Sequence, residues 1–115
     1  MALAHDWRLM HDGRGWFCLP EIDARIPFRR GMSALLRARL SDRALRHTVL
    51  TGARLDGPAA FRLGVVQEVA RTDELLPRAL DLAAARARTA GEACGALKSL
   101  MVGRVAAALR ASARS

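Results

Sequence analysis

One carboxylate stands where a proton-transfer group would be expected. Glu21 follows an apolar run that begins at Trp16 and ends at Pro20. Such a run predicts a buried strand that stops at the proline, so Glu21 is expected at the strand end or just past it. Its expected neighbours are apolar: Leu19, Ile22, Ile26 and Phe28. Apolar surroundings disfavour the charged form of a carboxylate and suit it to proton transfer, although a solvated loop glutamate is the alternative.

The other residues that could do chemistry lack partners at a useful spacing. His5 and His11 have no second ligand at a metal-binding distance in the sequence, so structural or surface roles are favoured and no metal site is predicted. Cys18 and Cys94 are too few for a disulfide framework, and both are predicted to be small buried hydrophobic residues. Asp6 is predicted to cap or support the backbone rather than to catalyse.

Length and composition indicate one helix-rich domain. The chain has 115 residues, and its 51% apolar content comes mainly from Ala, Leu and Val, with only three Phe and two Trp. No run approaches the roughly 20 apolar residues that a membrane helix needs, and residues 1–10 lack the features of a signal peptide. A cytoplasmic protein that does not enter the membrane is therefore predicted.

The charge balance raises the question of an anionic partner. The net charge is +8, and Lys98 is the only lysine beside eighteen arginines. Those arginines are spread from Arg8 to Arg114, and the aromatic residues do not alternate with them as a stacking surface for single strands would require. A nucleic-acid partner is therefore disfavoured, while a small phosphate-bearing ligand would need only two or three of these arginines.

The pattern of the chain predicts a β-containing beginning, residues 1–30, and a helical remainder, residues 31–115. In the first part, residues 2–10 begin as a helix end and finish as a short strand, a turn follows at Asp12-Gly13, and residues 15–19 form a second short strand. Helices are predicted at residues 31–40, 42–50, 59–63, from 72 to an interruption at Gly91, and 92–111. One further strand is predicted at residues 65–69. Three short strands cannot make a self-sufficient sheet, so a partner sheet is expected.

Several ordered stretches carry a resemblance to a known family. They are residues 2–10 (ALAHDWRLM), 17–23 (FCLPEID), 26–28 (IPF), 51–54 (TGAR) and 59–69 (AAFRLGVVQEV). In this order and spacing the chain resembles the enoyl-CoA hydratase/isomerase (crotonase) superfamily, above all its enoyl-CoA isomerase branch. The resemblance implies a single partial α/β domain of the crotonase (ClpP/crotonase-like) type, equivalent to the C-terminal half of such an enzyme.

The resemblance also implies roles for individual residues. Glu21 matches the family's general acid/base at the Pro-Glu motif, which in an isomerase shifts a 3-enoyl to a 2-enoyl double bond in an acyl-CoA. Lys98 lies in the helix that often covers the coenzyme A end, so it could contact a phosphate, with a solvated helix face as the alternative. Arg25 stands where the family often has glycine and could add charge beside the acyl channel. No cofactor is implied beyond the coenzyme A of the substrate, and a trimer-type homo-oligomer is expected.

The resemblance implies that several catalytic groups of the family lie before Ala2. Both backbone N–H groups that hold the thioester oxygen, and the hydratases' second glutamate, would precede this chain. The chain is therefore expected to be a truncated piece of a fatty acid metabolism enzyme, either isomerase or hydratase (a lyase), and weak or inactive alone. A non-catalytic remnant that packs against crotonase-type subunits is the alternative, and a basic nucleic-acid binder is a lesser one.

Overall fold

The computed structural model describes residues 2–114, which form six α-helices and two short strands. After a 3-10 turn at Ala2–Ala4, the elements are β1 Leu9–His11, α1 Glu21–Ala24, α2 Arg30–Arg39, α3 Asp42–Thr51, α4 Gly57–Arg62, β2 Glu68–Ala70, α5 Thr72–Ala87 and α6 Glu92–Arg114. Within these residues, no helix combines the length and the hydropathy that crossing a membrane would demand.

Strands β1 and β2 pair in parallel, although they lie far apart in the sequence. Leu9 lies opposite Glu68, and the register continues through His11 opposite Ala70. One hydrogen bond extends the pairing at each end, from the Gln67 N–H to the Arg8 carbonyl and from the Asp12 N–H to the Ala70 carbonyl. The sheet of the described residues has these two strands alone.

The strand predictions needed two corrections. Residues 15–19 are not a strand, because only Phe17 pairs, through reciprocal 2.8 Å hydrogen bonds with the backbone of Leu55. The strand predicted at residues 65–69 begins three residues later, at Glu68. Val65 and Val66 instead form the turn that leaves α4, where their N–H groups bond to the carbonyl of Ala60.

The central helices begin where side chains cap them. The Ser41 hydroxyl accepts a hydrogen bond from the Ala44 N–H at 3.1 Å and starts α3, as the sequence predicted. The Asp56 carboxylate accepts from the Ala59 N–H at 2.9 Å and starts α4 two residues before the predicted bound. The predictions for α2, α3 and α6 are confirmed to within a few residues at each end.

The core lies where α2, α3 and α4 meet the two strands. Leu36, which is 2% exposed, lies at the centre of this core. The other buried apolar residues are Leu3, Leu19, Leu35, Leu40, Ala44, Leu55, Ala60, Val65 and Val66. Helix α6 returns along α2, where the Ser112 hydroxyl accepts a 2.8 Å hydrogen bond from the Gly31 N–H.

Helices α5 and α6 lie outside this core, and neither contains a buried residue. Their five most exposed large apolar side chains form a set that we call the outer apolar face: Leu76, Leu80, Leu97, Leu100 and Met101. Helix α5 is tied to β2 by Arg78, whose Nε and Nη2 atoms each donate a 2.8 Å hydrogen bond to the Glu68 carboxylate. This pairing lowers the pKa of Glu68 and raises that of Arg78.

Candidate active site

Glu21 is the first residue of α1, a four-residue helix that follows Pro20. The helix closes on itself through hydrogen bonds from the Ala24 N–H to the Pro20 carbonyl at 3.0 Å and from the Ile26 N–H to the Glu21 carbonyl at 2.9 Å. The apolar segment before it was predicted to be a strand, but it pairs only at Phe17. Glu21 therefore lies four residues past this isolated bridge rather than at the end of a strand.

The Glu21 carboxylate has one buried oxygen without a partner. Among the described residues, Oε2 of Glu21 is buried and accepts no hydrogen bond. Leu19 is buried and Phe28 is half-buried, but Ile22 and Ile26 are 45% and 60% exposed, so the predicted apolar enclosure is correct on one side only. A buried acceptor without a donor is costly in a folded chain, which makes this oxygen an exception that calls for a functional explanation.

Two contacts with the end of α3 hold the Glu21 segment in place. The Phe17 backbone pairs with Leu55, and the Cys18 thiol donates a 3.3 Å hydrogen bond to the Gly52 carbonyl. Cys18 and Cys94 are both half-buried rather than buried, which corrects the prediction for these two residues. The thiol of Cys18 thus acts as a weak donor that ties the segment to α3.

Gly52 ends α3 in direct contact with α1. Its φ is +65°, in the left-handed region that favours glycine. A Cβ atom at this position would lie 2.6 Å from Oδ2 of Asp23 and 3.4 Å from Cγ2 of Ile22. The backbone conformation therefore favours glycine, and a larger residue would also displace the Asp23 carboxylate of α1.

Arg25 ends α1 with a φ of +57°, so it is a non-glycine residue in the left-handed conformation. The left-handed conformation favours glycine at this position. The Arg25 side chain is exposed and forms no ion pair within residues 2–114. The suggested contact between Arg25 and substrate stays a prediction.

We expect Arg25→Gly to raise the free energy of unfolding by up to about 1 kcal/mol, because glycine removes the left-handed strain at a small entropic cost. Urea unfolding of the two proteins measures the change. Arg104→Gly, at an exposed interior position of α6, is the matched control and should lose about 1 kcal/mol. An equal loss in both variants would contradict the assignment of strain to Arg25.

Lys98 and Asp6 meet in an ion-pair cluster. The Lys98 ammonium donates to Oδ2 of Asp6, and Nη2 of Arg39 lies 3.4 Å from Oδ1 of the same carboxylate. Arg39 also donates through Nε to the Leu3 carbonyl at 3.0 Å. The predicted capping or backbone role of Asp6 is therefore wrong, because its carboxylate joins side chains of α2 and α6. Lys98 has an ionic partner instead of a merely solvated position, and its contact with a phosphate stays a prediction.

Arg8 is a charged residue that sequence analysis missed. It is 8% exposed, and its Nε and Nη1 atoms donate to the carbonyls of Val65 and His5 at 2.7 and 2.8 Å. Burial and the nearby charge of Arg39 lower the pKa of Arg8, while Asp6 opposes that shift. The available signal was an arginine between the apolar residues of a predicted strand. Arg8 links β1 to the turn after α4, which is a structural role.

Asp6 should contribute a pH-dependent share of stability. The hydrogen bond from Lys98 lowers the pKa of Asp6, against the opposing effect of burial and with help from the charges of Lys98 and Arg39. A lowered folded-state pKa means stability that is present above about pH 4 and lost as the pH falls further. We expect Asp6→Asn to cost about 0.5–1 kcal/mol at neutral pH, since the carboxylate is partly exposed, and much less near pH 2. Urea unfolding at the two pH values measures this, and an equal cost at both would contradict it.

His11 has the structural role that the sequence favoured. Its Nδ1 accepts a 2.8 Å hydrogen bond from the Gly13 N–H, and its Nε2 is hydrogen-bonded to the hydroxyl of Thr72. Within residues 2–114, no group of three or more His, Cys, Asp or Glu residues is arranged to hold a metal ion.

Comparison with known proteins places this geometry in context. No family model matches the chain. The chain is similar to the peroxisomal enoyl-CoA delta isomerase 2 of Arabidopsis thaliana, with 33% identity over 75 residues that cover 64% of this chain and 31% of the relative. It is similarly related to enoyl-CoA delta isomerase 3 of the same plant, with 37% identity over 70 residues that cover 60% of this chain and 29% of that one.

Solved structures match over nearly the whole chain. A crystal structure of an enoyl-CoA hydratase/isomerase family protein from Pseudomonas syringae superposes with a TM-score of 0.87 at 23% identity, covering 96% of this chain and 48% of that one. A probable enoyl-CoA hydratase from Mycobacterium tuberculosis superposes with a TM-score of 0.86 at 19% identity, covering 96% and 47%. This chain has a crotonase-type fold. It spans about half the length of these structures and about a third of the curated isomerases.

The crotonase-type fold brings together only some of the residues that the sequence singled out. Glu21, Cys18 and Arg25 lie in one segment against the end of α3, whereas Lys98 lies with Asp6 and Arg39. Within the described residues, no hydrogen bond or ion pair joins Lys98 to Glu21. Sequence analysis did not identify Gly52 as a contact of the Glu21 helix, although its place after Thr51 at a helix end was a signal.

Proposed function

We propose that this chain carries the proton-transfer residue of an enoyl-CoA isomerase and that Glu21 is that residue. The observation that carries the proposal is the buried, unpartnered Oε2 of Glu21 in a crotonase-type fold. An acceptor held ready without an internal donor suits a group that takes a proton from a bound substrate. The similarity to two curated isomerases supports the choice of reaction.

The proposed reaction moves one proton and changes no oxidation state. Glu21 removes a proton from carbon 2 of a 3-enoyl-CoA, and the C–H electron pair forms a dienolate delocalised over the thioester oxygen, carbon 2 and carbon 4. The protonated Glu21 then returns the proton to carbon 4, which leaves the double bond between carbons 2 and 3, in conjugation with the thioester. The only coenzyme in this scheme is the coenzyme A of the substrate, and the substrate places the enzyme in fatty acid metabolism.

The dienolate needs donors for its oxygen, and the family resemblance assigns these to backbone N–H groups at positions before Ala2. Loss of one such donor typically lowers the rate by about 10²- to 10³-fold. We therefore propose that the 115-residue chain by itself is weak or inactive. Isomerisation of a 3-enoyl-CoA by this chain alone would overturn that part of the proposal.

A chimeric domain tests the proposal directly. Residues 2–114 replace the structurally matched half of the Pseudomonas syringae protein, whose other half completes the fold. We expect the chimera to convert a 3-enoyl-CoA into the conjugated 2-enoyl-CoA, detected by ultraviolet absorbance, and to transfer part of a deuterium label from carbon 2 to carbon 4. A folded chimera that binds acyl-CoA and only hydrates 2-enoyl-CoA would contradict the isomerase assignment.

The outer apolar face favours a second candidate, a non-catalytic partner of crotonase-type subunits. Leu97, Leu100 and Met101 recur at helical spacing on α6 and are 61%, 84% and 74% exposed. A contiguous exposed apolar patch of this kind is typical of an interaction site. In this reading the chain packs against such subunits, as in a trimer-type assembly. Sedimentation of the chain alone and with a crotonase-type subunit separates the candidates. A non-catalytic partner must form a mixed assembly, and that assembly should form equally well without the Glu21 carboxylate.

A further inference from the structure

A cleft between α3 and α4 carries a concentration of positive charge that the proposed reaction does not use. Arg43 and His47 lie one turn apart on α3, and Arg62 is the last residue of α4. All three side chains are exposed and line the same cleft, which has a volume of about 520 Å³. The remaining lining residues are apolar: Leu55, Ala59 and Leu63.

These three basic side chains have no acidic partner in the described chain. None of the three belongs to an ion pair, and no carboxylate lines the cleft. The acids nearest in sequence are engaged elsewhere, since Asp42 pairs with Arg46 at 3.1 Å and Asp56 caps α4. An unneutralised cluster on a chain of net charge +8 attracts an anion.

The size of the cleft and its apolar lining indicate which kind of anion would fit it. A volume of about 520 Å³ lies within the usual range of small-molecule sites and exceeds the needs of a lone phosphate ion. Leu55 is 3% exposed and forms an apolar floor with Ala59 and Leu63. Two arginines suit phosphate oxygens through forked hydrogen bonds, while the floor suits a ring or another apolar group.

We propose that the cleft of Arg43, His47 and Arg62 binds a small phosphate ester with an aromatic or apolar part, of about the size of a nucleoside diphosphate. The arginines hold the phosphates, and the floor of Leu55, Ala59 and Leu63 receives the ring. This site uses neither Glu21 nor Lys98, so it stands independently of the proposed isomerase reaction.

Calorimetric titration of the full 115-residue chain with ADP at low salt tests the proposal. We expect binding that weakens by about 10- to 100-fold in Arg43→Ala and in Arg62→Ala, the loss typical of one charged hydrogen-bonding group. Arg104→Ala, which removes an equally exposed arginine from α6, should bind ADP as the parent does. Circular dichroism verifies that each variant is folded. The two cleft variants are separate tests of the location, because each removes a different arginine.

Titrations with other ligands identify which chemical class the cleft binds. Adenosine should not bind measurably, and inorganic pyrophosphate should bind more weakly than ADP. Equal binding of pyrophosphate and ADP would overturn the role of the apolar floor. ADP binding that survives both cleft substitutions but is lost in Lys98→Ala would overturn the location. Binding of duplex DNA without binding of ADP would overturn the small-ligand class.

Discussion

Glu21→Gln is expected to lower the isomerisation rate of the chimeric domain by about 10²- to 10⁴-fold, the usual contribution of a positioned acid/base group. Glutamine keeps the shape of the side chain and the apolar contacts of α1 but cannot take a proton from carbon 2. The affinity for acyl-CoA should therefore change little, so the loss should appear in kcat rather than in KM. Steady-state kinetics with a 3-enoyl-CoA measure both constants.

A matched substitution separates proton transfer from a general effect of charge. Glu92→Gln removes a carboxylate from the exposed first turn of α6 and should leave kcat unchanged. Glu21→Asp, which shortens the side chain but keeps the acid, should retain more activity than Glu21→Gln. Equal rates for the parent and Glu21→Gln would show that the unpartnered oxygen of Glu21 has no catalytic role.

Gly57→Ala is expected to destabilise the fold by about 3 kcal/mol, the upper part of the range for overpacked sites. Gly57 is buried at the start of α4, where a Cβ atom would lie 2.3 Å from the carbonyl oxygen of His11 and 3.1 Å from Cα of Asp12. Both neighbours are backbone atoms, so the clash cannot be relieved by rotating a side chain. Either β1 or α4 must move, and the measurement is the free energy of unfolding in urea.

Gly103→Ala is the control for the same chemical change. Gly103 lies inside α6, and nothing approaches within 4 Å of its expected Cβ position. Alanine should therefore stabilise the protein by about 0.5–1 kcal/mol through its higher helix propensity. Similar destabilisation by both substitutions would mean that the close contact between α4 and β1 does not control stability.

The helices could be predicted because their signals are local. Ser41 is followed at once by the residues it caps, and the apolar residues of α2 recur at helical spacing toward the core around Leu36. The strands could not be placed as well. Val65 and Val66 have strand-forming side chains, yet Ala60 holds their N–H groups in a turn and the ladder starts only at Glu68. The local turn at the end of α4 thus overrode β propensity.

The surroundings of the candidate site were less predictable because distant residues build them. The Pro-Glu motif indicated Glu21 as a candidate, but nothing local in the sequence indicated that Ile22 and Ile26 would be exposed. Asp6 meets Lys98 across 92 positions, and Cys18 meets Gly52 across 34. Patterns within a window of a few residues contain no information about such contacts, which the packing of α6 on α2 and of α1 on α3 creates.

The parallel pairing of β1 with β2 has a consequence for how residues 2–114 by themselves behave in concentrated solution. Each three-residue strand bonds its partner through one edge, and within residues 2–114 the sheet contains no third strand to occupy the opposite edges. Open edges present backbone donors and acceptors to any extended segment of another molecule, which is the usual first step of edge-to-edge aggregation. Light scattering that rises with protein concentration would reveal this association, and the same edges are where a further strand could extend the sheet.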